Sequence, residues 1–503
     1  MEDSFGQYPV VIYGGTLAGV STLRSLRQVA DDRHVLFLNP QPGWGGQAGI
    51  GRQNSWDLRD WQSADGGMTP QGGSFRVWYD AAGFAYDPVA FEEFLAETVR
   101  EGRHTDLLDY WDVVDLDCSS DGIIERIEVA PLKRAGGETV TSGESVLIDG
   151  EVFVDASTSG RLTRLAGVPH TVGRADRHTD QRQMAATLMF PMKEVDWRTI
   201  EQSRSPNGQQ TYGTTTDAST NHRLFWGGHW HERNGEAVRA FNDGFPRCRL
   251  KALNAAEGRE GVFWFNTLLV YDVDARFDAR DEGKVLTRDQ RPWHRDEARR
   301  RAIEALTDPL FGKAIRSFPG LEQTSFIREG EDPVAAETLY LRESIHLTRH
   351  GEHVVRSHHV RDAGREPTDG ADTELYGSRI GLGYYWMNSN GYDATRPSDA
   401  ATFYATENPV YLPYEMLTSV TCANLLVPGY ATSADSEAWF ALRVVPNQCV
   451  LGDAAGVAAA VADRSDTDPG LFGDERIRRV QRHLVEDVDA ILEKDTASGA
   501  VVR

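Results

Sequence analysis

The residues best placed to do chemistry are small ones near the start of the chain, Gly14-Gly15-Thr16-Leu17-Ala18-Gly19. A turn without bulky side chains, set between a strand and a helix, exposes the first backbone N–H groups of the helix. Those groups and the helix dipole hold a diphosphate. The spacing departs from G-x-G-x-x-G at one place, Thr16, where the pattern has Gly. Twenty residues after Gly19 stands Asn39, where an acidic residue ordinarily grips a ribose hydroxyl. An amide can hydrogen-bond the same hydroxyl as donor or acceptor, without the charge. A second run, Gly43 to Gly51, has five glycines in nine positions and cannot be regular structure. It predicts a backbone that bends tightly or passes close to a ligand.

These residues need elements to hold them. Val10-Val11-Ile12-Tyr13 reads as a central strand buried on both faces, and Val20, Leu23, Leu26 and Val29 as one stripe of the helix that follows. Residues 34–39 read as a second strand. Asp87-Pro88 starts a helix whose apolar face is Phe91, Phe94, Leu95 and Val99. Strands over 111–116 and 123–129 flank a turn at Asp121-Gly122, and a hairpin turn at Asp149-Gly150 leads into a buried strand ending at Asp155. Residues 185–330 mix aromatic-rich strands (187–190 and 263–271) with helices, one near 295–307. The polar stretches 203–222 and 361–378 read as loops. Near the C-terminus come a short strand at 424–430, a small-residue helix over 446–460, and a helix over 474–493 with Ile477, Val480, Leu484, Val488 and Ile491 along one stripe.

At 503 residues the chain is long for one core, so two intertwined domains are expected. Hydrophobic residues at 40% and charged residues at 26% fit a globular enzyme. No run approaches the length of a membrane span, and because the acidic N-terminus opens directly into a strand, no signal peptide is expected. The net charge of −23 argues against nucleic acid and anionic membrane as partners. Four scattered cysteines suggest neither a disulfide framework nor a zinc site, and a cytoplasmic location is expected.

Taken in order, these segments resemble the FAD-dependent oxidoreductases of the glutathione-reductase-like flavoprotein superfamily, the two-dinucleotide-binding-domain type. Within it the likeness is to the group that opens with Gly-Gly-Thr-x-Ala-Gly, which carries Thr at position 16. Gly45-Gly46, Asp155-Ala156-Ser-Thr-Ser-Gly160, Leu341-Arg342-Glu343-Ser344, Leu425 to Gly429, Arg443, Pro446 and Leu451-Gly452-Asp453-Ala454-Ala455-Gly456 match in sequence order. Asn39 departs from the group's Glu, and Asp453 from its Gln. The resemblance implies an α/β fold, a Rossmann-like FAD-binding domain with an inserted mixed β-sheet substrate domain. Residues 1–180 and 341–473 would build the FAD-binding domain, 181–340 the substrate domain, and 474–503 a C-terminal helix.

It further implies FAD as cofactor. The diphosphate would lie at Gly14, Gly15, Thr16, Ala18 and Gly19, the adenosine near Asn39, Gly45, Gly46 and Val114. Asp155, Ala156 and Gly429 would also bind the cofactor, and the flavin would sit against the start of a helix at Gly452, Asp453 and Gly456. A dehydrogenase or oxidase that moves a hydride from a small organic molecule to the flavin fits best, because no second glycine-rich corner provides a nicotinamide domain. The alternatives are an FAD monooxygenase using NAD(P)H and oxygen, and a non-catalytic nucleotide-binding protein. The catalytic candidates are Arg342, His346, His231 and Tyr385. Arg342 could clamp a carboxylate, lie over the flavin, or pair with Glu343. His346 shares a face with it in a helix or a strand. His229-Trp230-His231 would line a pocket as an aromatic loop. Two histidines two apart could ligate a metal, but no further ligands cluster with them, so no metal is expected. The partner expected is a small-molecule substrate; the oligomeric state stays open.

Overall fold

The computed structural model describes residues 4–59, 61, 69, 71–178, 180–281, 292–395 and 403–494. Strand β1 (Ser4–Tyr13) runs through the middle of a sheet, parallel to β2 (Val35–Asn39) on one side and to a later strand, Val146–Asp155, on the other. Val10, Val11, Ile12 and Tyr13 are buried, as a strand covered on both faces requires. Next to β2 lies β3 (Thr105–Asp109), also parallel. An antiparallel meander of β4 (Trp111–Cys118), β5 (Ile124–Ala135) and β6 (Glu138–Thr141) completes this half with β7 (Val146–Asp155). The eight-stranded sheet has the order β3-β2-β1-β7-β5-β4, with β6 on β5 and Leu425–Leu426 on β7. The chain thus returns after nearly three hundred residues to finish the sheet it began. Helix α1 (Leu17–Val29) follows β1 directly.

The expected turn at Asp149-Gly150 is absent. β7 runs straight through those residues, because Tyr8 pairs with Gly150 in the parallel ladder and Arg126 of β5 binds the Asp149 carboxylate at 2.6 Å. Long-range pairing overrides the local turn signal. The Asp121-Gly122 turn does form, with the Gly122 N–H donating to the Ser119 carbonyl. Asp87 caps the Pro88–Arg100 helix by accepting from the Val89 N–H.

The middle of the chain builds a seven-stranded sheet whose pairs are antiparallel, centred on Ala186–Lys193, Leu253–Arg259 and Val262–Val270. Its buried face is aromatic: Phe190 stacks on Phe265 at 5.6 Å and meets Phe311 edge-on. The stretch 203–222 contributes a strand, Tyr212–Thr216, paired with Arg223–Gly227, so it is not wholly loop. The Arg295–Thr307 helix lies where the sequence places one.

The small-residue helix spans Val445–Ser465, and the last helix Asp474–Glu486, shorter than its apolar stripe. The first of these crosses α1 at very close range. The Thr22 hydroxyl donates to the Gly452 carbonyl, and a Cβ at Gly452 or Gly456 would collide with α1 backbone at Ala18 and Thr22. Among the described residues no helix is long and apolar enough to cross a membrane.

Candidate cofactor and substrate site

The glycine turn lies at the C-terminal ends of β1, β2 and β7, the edge where open parallel sheets bind ligands. Gly14 has φ of +121°, and a Cβ there would stand 2.6 Å from the Ala156 carbonyl carbon. Only glycine fits. Thr16 is the N-cap of α1: its hydroxyl accepts from the Gly19 N–H at 3.3 Å and donates to the Ala156 carbonyl at 2.7 Å. The threonine therefore ties the turn after β1 to the turn after β7 while its oxygen satisfies one of the first helical N–H groups. Ala18 lies below Gly429, whose φ is +96° and whose added Cβ would come within 3.4 Å of the Ala18 methyl.

The glycine-rich stretch wraps over this turn. The Gly45 N–H donates to the Gly15 carbonyl at 2.7 Å, and Gly46 approaches the Thr16 side chain. A cleft runs from Pro40 and Gln41, past Gly46, Gln47 and Thr158, to Tyr430. At the meander end, a bulge leaves Val114 without a partner on β5, since Val113 pairs with Val129 and Asp115 with Glu128. A strand residue passed over by the ladder can offer its backbone N–H and C=O to the edge of a flat heterocycle. Glycines that a Cβ would block, a capped helix N-terminus and a strand residue passed over by the ladder fit a dinucleotide-binding turn; the cleft beside Gly46 and Tyr430 continues to the charged side chains of Asp278, Arg295, Asp296 and Arg299.

Several expected cofactor residues have other duties in the structure. Asn39 is fully buried; its amide donates to the Gly43 carbonyl and to Asp109, and its oxygen accepts from the Gln41 N–H. The exposed carboxylate beside it is Asp109, at the end of β3. Asp155 accepts from the N–H and hydroxyl groups of both Ser157 and Thr163, which shapes the 155–163 turn, and burial raises its pKa despite these bonds. Gly452 and Gly456 sit at the helix crossing, two and three turns beyond the start of their helix at Val445. Asp453 accepts from the Ser74 N–H at 2.8 Å, at the start of the Gly73–Ala82 helix, and burial pushes its carboxyl up to about 7. The start of that helix lies near Gly429 and Tyr430 instead, where a Cβ on Gly429 would reach the Gln448 amide, and its first turn is buried.

The catalytic candidates separate into three places. Arg342 is buried under the seven-stranded sheet, donating to the Ala185 carbonyl at 2.6 Å, Thr187 at 2.8 Å and Asn266 at 3.2 Å, and lying 4.2 Å from the Tyr340 ring. It does not pair with Glu343. That carboxylate accepts from the Met184 N–H and faces His346 at 3.1 Å, so Arg342 and His346 do not converge on one ligand. His346 is fully buried beside Trp439. His231 lies on a short helix, His229–Asn234, rather than a loop, with its ring against Phe318; burial lowers its pKa. Tyr385 shares neighbours with Arg342 without touching it: its hydroxyl donates to Asp57, and Asp57, Tyr340 and Arg443 act electrostatically on both side chains.

Two residues of this cluster carried no catalytic expectation. Arg443, buried beneath the sheet, donates to the Tyr340 hydroxyl at 2.9 Å. The Lys251 ammonium donates to Asn390 at 3.1 Å. Arg443 stands in a matching segment and was legible as a motif residue; Lys251 precedes a strand and nothing in its surroundings marks it. Tyr430 bridges cleft and cluster, since its hydroxyl reaches Gln47 at 2.7 Å and the carbonyl of Leu341 at 2.8 Å. Away from both, His358, His359 and Glu374 bring possible metal-ligating atoms within 4.8 Å of one another, but His359 already accepts from the Arg356 N–H and contacts Glu374.

Residues 9–484 match the family described as FAD dependent oxidoreductase, and the chain belongs to that family. It is therefore a flavoenzyme, and the non-catalytic alternative is set aside. No curated protein gives a significant match. Solved structures with remote similarity include a geranylgeranyl bacteriochlorophyll reductase-like protein from Thermoplasma acidophilum, at 10% identity and TM-score 0.39, covering 96% of this chain and 84% of that one. The myxobacterial chondrochloren halogenase CndH has 12% identity and TM-score 0.36, covering 98% and 84%. The flavin-dependent monooxygenase PieE, solved with FAD and substrate, has 13% identity and TM-score 0.29, covering 61% and 48%. Likeness this remote does not bear on the reaction.

Proposed function

We propose that this FAD-dependent oxidoreductase oxidises a small organic molecule by hydride transfer to the flavin, and that it falls in the Gly-Gly-Thr-x-Ala-Gly group of the glutathione-reductase-like superfamily. FAD supplies a two-electron acceptor. The observation that carries the reading is Tyr430, whose one hydroxyl links Gln47 in the glycine-rich cleft to the residue preceding Arg342. The cofactor cleft and the cation-and-tyrosine cluster are neighbours. Gly46, Gln47, Gly429 and Tyr430, with the first turn of the 445–465 helix, would hold the flavin ring. Residues 181–340 supply Lys251 and the sheet that buries Arg342, which fits a substrate-domain role.

The protein's own groups divide the work. Arg342 and Arg443 orient the substrate. Tyr340, Tyr385 and Tyr430, all buried, keep water from the reacting carbon. Asp57, held by Tyr385 at 3.2 Å and Gln53 at 3.1 Å, takes the proton released when a substrate alcohol or amine loses its hydride. Electrons and protons then balance: the hydride leaves the carbon, the proton leaves the heteroatom, and a C=O or C=N bond forms. The test is anaerobic. Purified protein mixed with NADPH and no substrate stays yellow under this reading; rapid bleaching would instead assign a monooxygenase reaction.

A further inference from the structure

Arg342 is 1% exposed and Arg443 is 2% exposed, and the Nε of each has no hydrogen-bond partner. The two cations flank one ring: Arg342 stacks on the Tyr340 face while Arg443 donates to its hydroxyl. Lys251 lies in the link between two strands of the same sheet, and its backbone N–H donates to the carbonyl of Thr267, the residue after Asn266, which itself accepts from Arg342. Among the described residues no carboxylate lies within ion-pair distance of any of the three; the nearest that acts on them is Asp57, whose oxygens already accept from Tyr385 and Gln53. Burial, with Arg342 and Arg443 nearby, draws the Lys251 amine down to about 7, against the opposing pull of Asp57 and Glu232. Two guanidinium groups buried together with no carboxylate in contact, beside an amine that can take up a proton, are costly unless something anionic joins them. The cluster is not sealed, since Lys251 and Asn388, whose carbonyl accepts from Arg443 at 3.3 Å, keep partial exposure.

We propose that Arg342, Arg443 and Lys251 form an anion site, and that the molecule oxidised is a small organic carboxylate held there by charge-assisted hydrogen bonds. The unpaired Nε groups of the arginines are free donors for the carboxylate, and the tyrosines around them accept the apolar remainder of the molecule. This inference rests on the proposed oxidoreductase reading for the word substrate, but the anion site stands on its own geometry.

The FAD-loaded protein is titrated with acetate and benzoate, and in parallel with acetamide and benzamide, by calorimetry and by the flavin absorption band. The expected result is that a carboxylate binds at least about tenfold more tightly than its amide, and that Arg342→Gln or Lys251→Gln lowers its affinity by a similar factor while FAD content stays intact. Lys251→Gln, at the partly exposed edge, covers the case in which Arg342→Gln does not fold. Carboxylate and amide binding equally, neither carboxylate binding, or full affinity in a folded Lys251→Gln protein with its FAD would overturn the proposal. If the wild-type protein takes up no FAD, the functional reading fails, while calorimetry on the flavin-free protein still decides the anion site.

Discussion

The Thr16 hydroxyl donates to the Ala156 carbonyl at 2.7 Å and so joins two turns 140 residues apart in the chain. The same oxygen caps α1 by accepting from the Gly19 N–H. Glycine at position 16 would do neither. Thr16→Ala should lower stability by about 1 kcal/mol, the usual cost of a lost N-cap, and weaken FAD binding by roughly tenfold as the two turns separate. Chemical denaturation and a fluorescence titration with FAD check the two effects; unchanged affinity would show that the tether does not shape the site.

That bond also marks how far the sequence could be read. The strand, the helix stripe and the glycine turn were legible because each is local: four apolar residues, a helical step, a lack of side chains. The Asp87 cap and the Asp121-Gly122 turn were legible for the same reason. The hairpin expected at Asp149-Gly150 failed because the parallel pairing with Tyr8 is non-local. The role of Gly452 was misplaced for a related reason. Small residues announce a close approach, but not to what, and here the partner is α1 rather than a flat ring. Lys251 joins Arg342 and Arg443 only through the folding of the middle sheet, which no spacing reveals.

The helix crossing makes its own prediction. A Cβ at Gly452 meets the Ala18 carbonyl and the Ser21 side chain, with no flexible group able to move aside. Gly452→Ala should cost about 1–3 kcal/mol of stability, the scale of overpacking a tight core. A fall in thermal midpoint would be read in the FAD-loaded and the flavin-free protein alike. A loss confined to the loaded form would put the glycine at the cofactor instead.

Asp453 gives the fold a pH signature. Its carboxyl titrates near 7 in the folded chain, because burial outweighs the bonds from Ser74 and the pull of Arg24, and near the ordinary carboxylate value when unfolded. The folded state therefore holds the extra proton, and the stability tied to it is present below about pH 4 and lost as pH rises through about 7. Asp453→Asn keeps an acceptor for Ser74 and removes the charge. It should match the wild type near pH 4 and exceed it at pH 8, by on the order of 2–4 kcal/mol. Denaturation curves across that range check it, and parallel curves for the two proteins would refute it.

The chain's last described residue is held by a buried ion pair. The Lys494 ammonium reaches the Asp372 carboxylate and the Gly364 carbonyl and lies 4.1 Å from the Tyr411 ring. Asp372 also accepts from the N–H groups of Gly364 and Tyr411. Lys494→Met strands a buried carboxylate and should cost about 3–5 kcal/mol. Differential scanning calorimetry would show it; a change below about 1 kcal/mol would mean the tail is not anchored there.

The claim on which the rest depends is that the turn at Gly14 cradles the FAD. The most direct measurement is the flavin content of two folded proteins, wild type and Gly14→Val, after incubation with FAD and desalting. Circular dichroism establishes that both are folded. The wild type should retain a single FAD per chain and its yellow colour, and Gly14→Val, with side-chain bulk where the Ala156 backbone stands 2.6 Å away, should be colourless. A folded Gly14→Val protein that keeps its full complement of FAD would contradict the account.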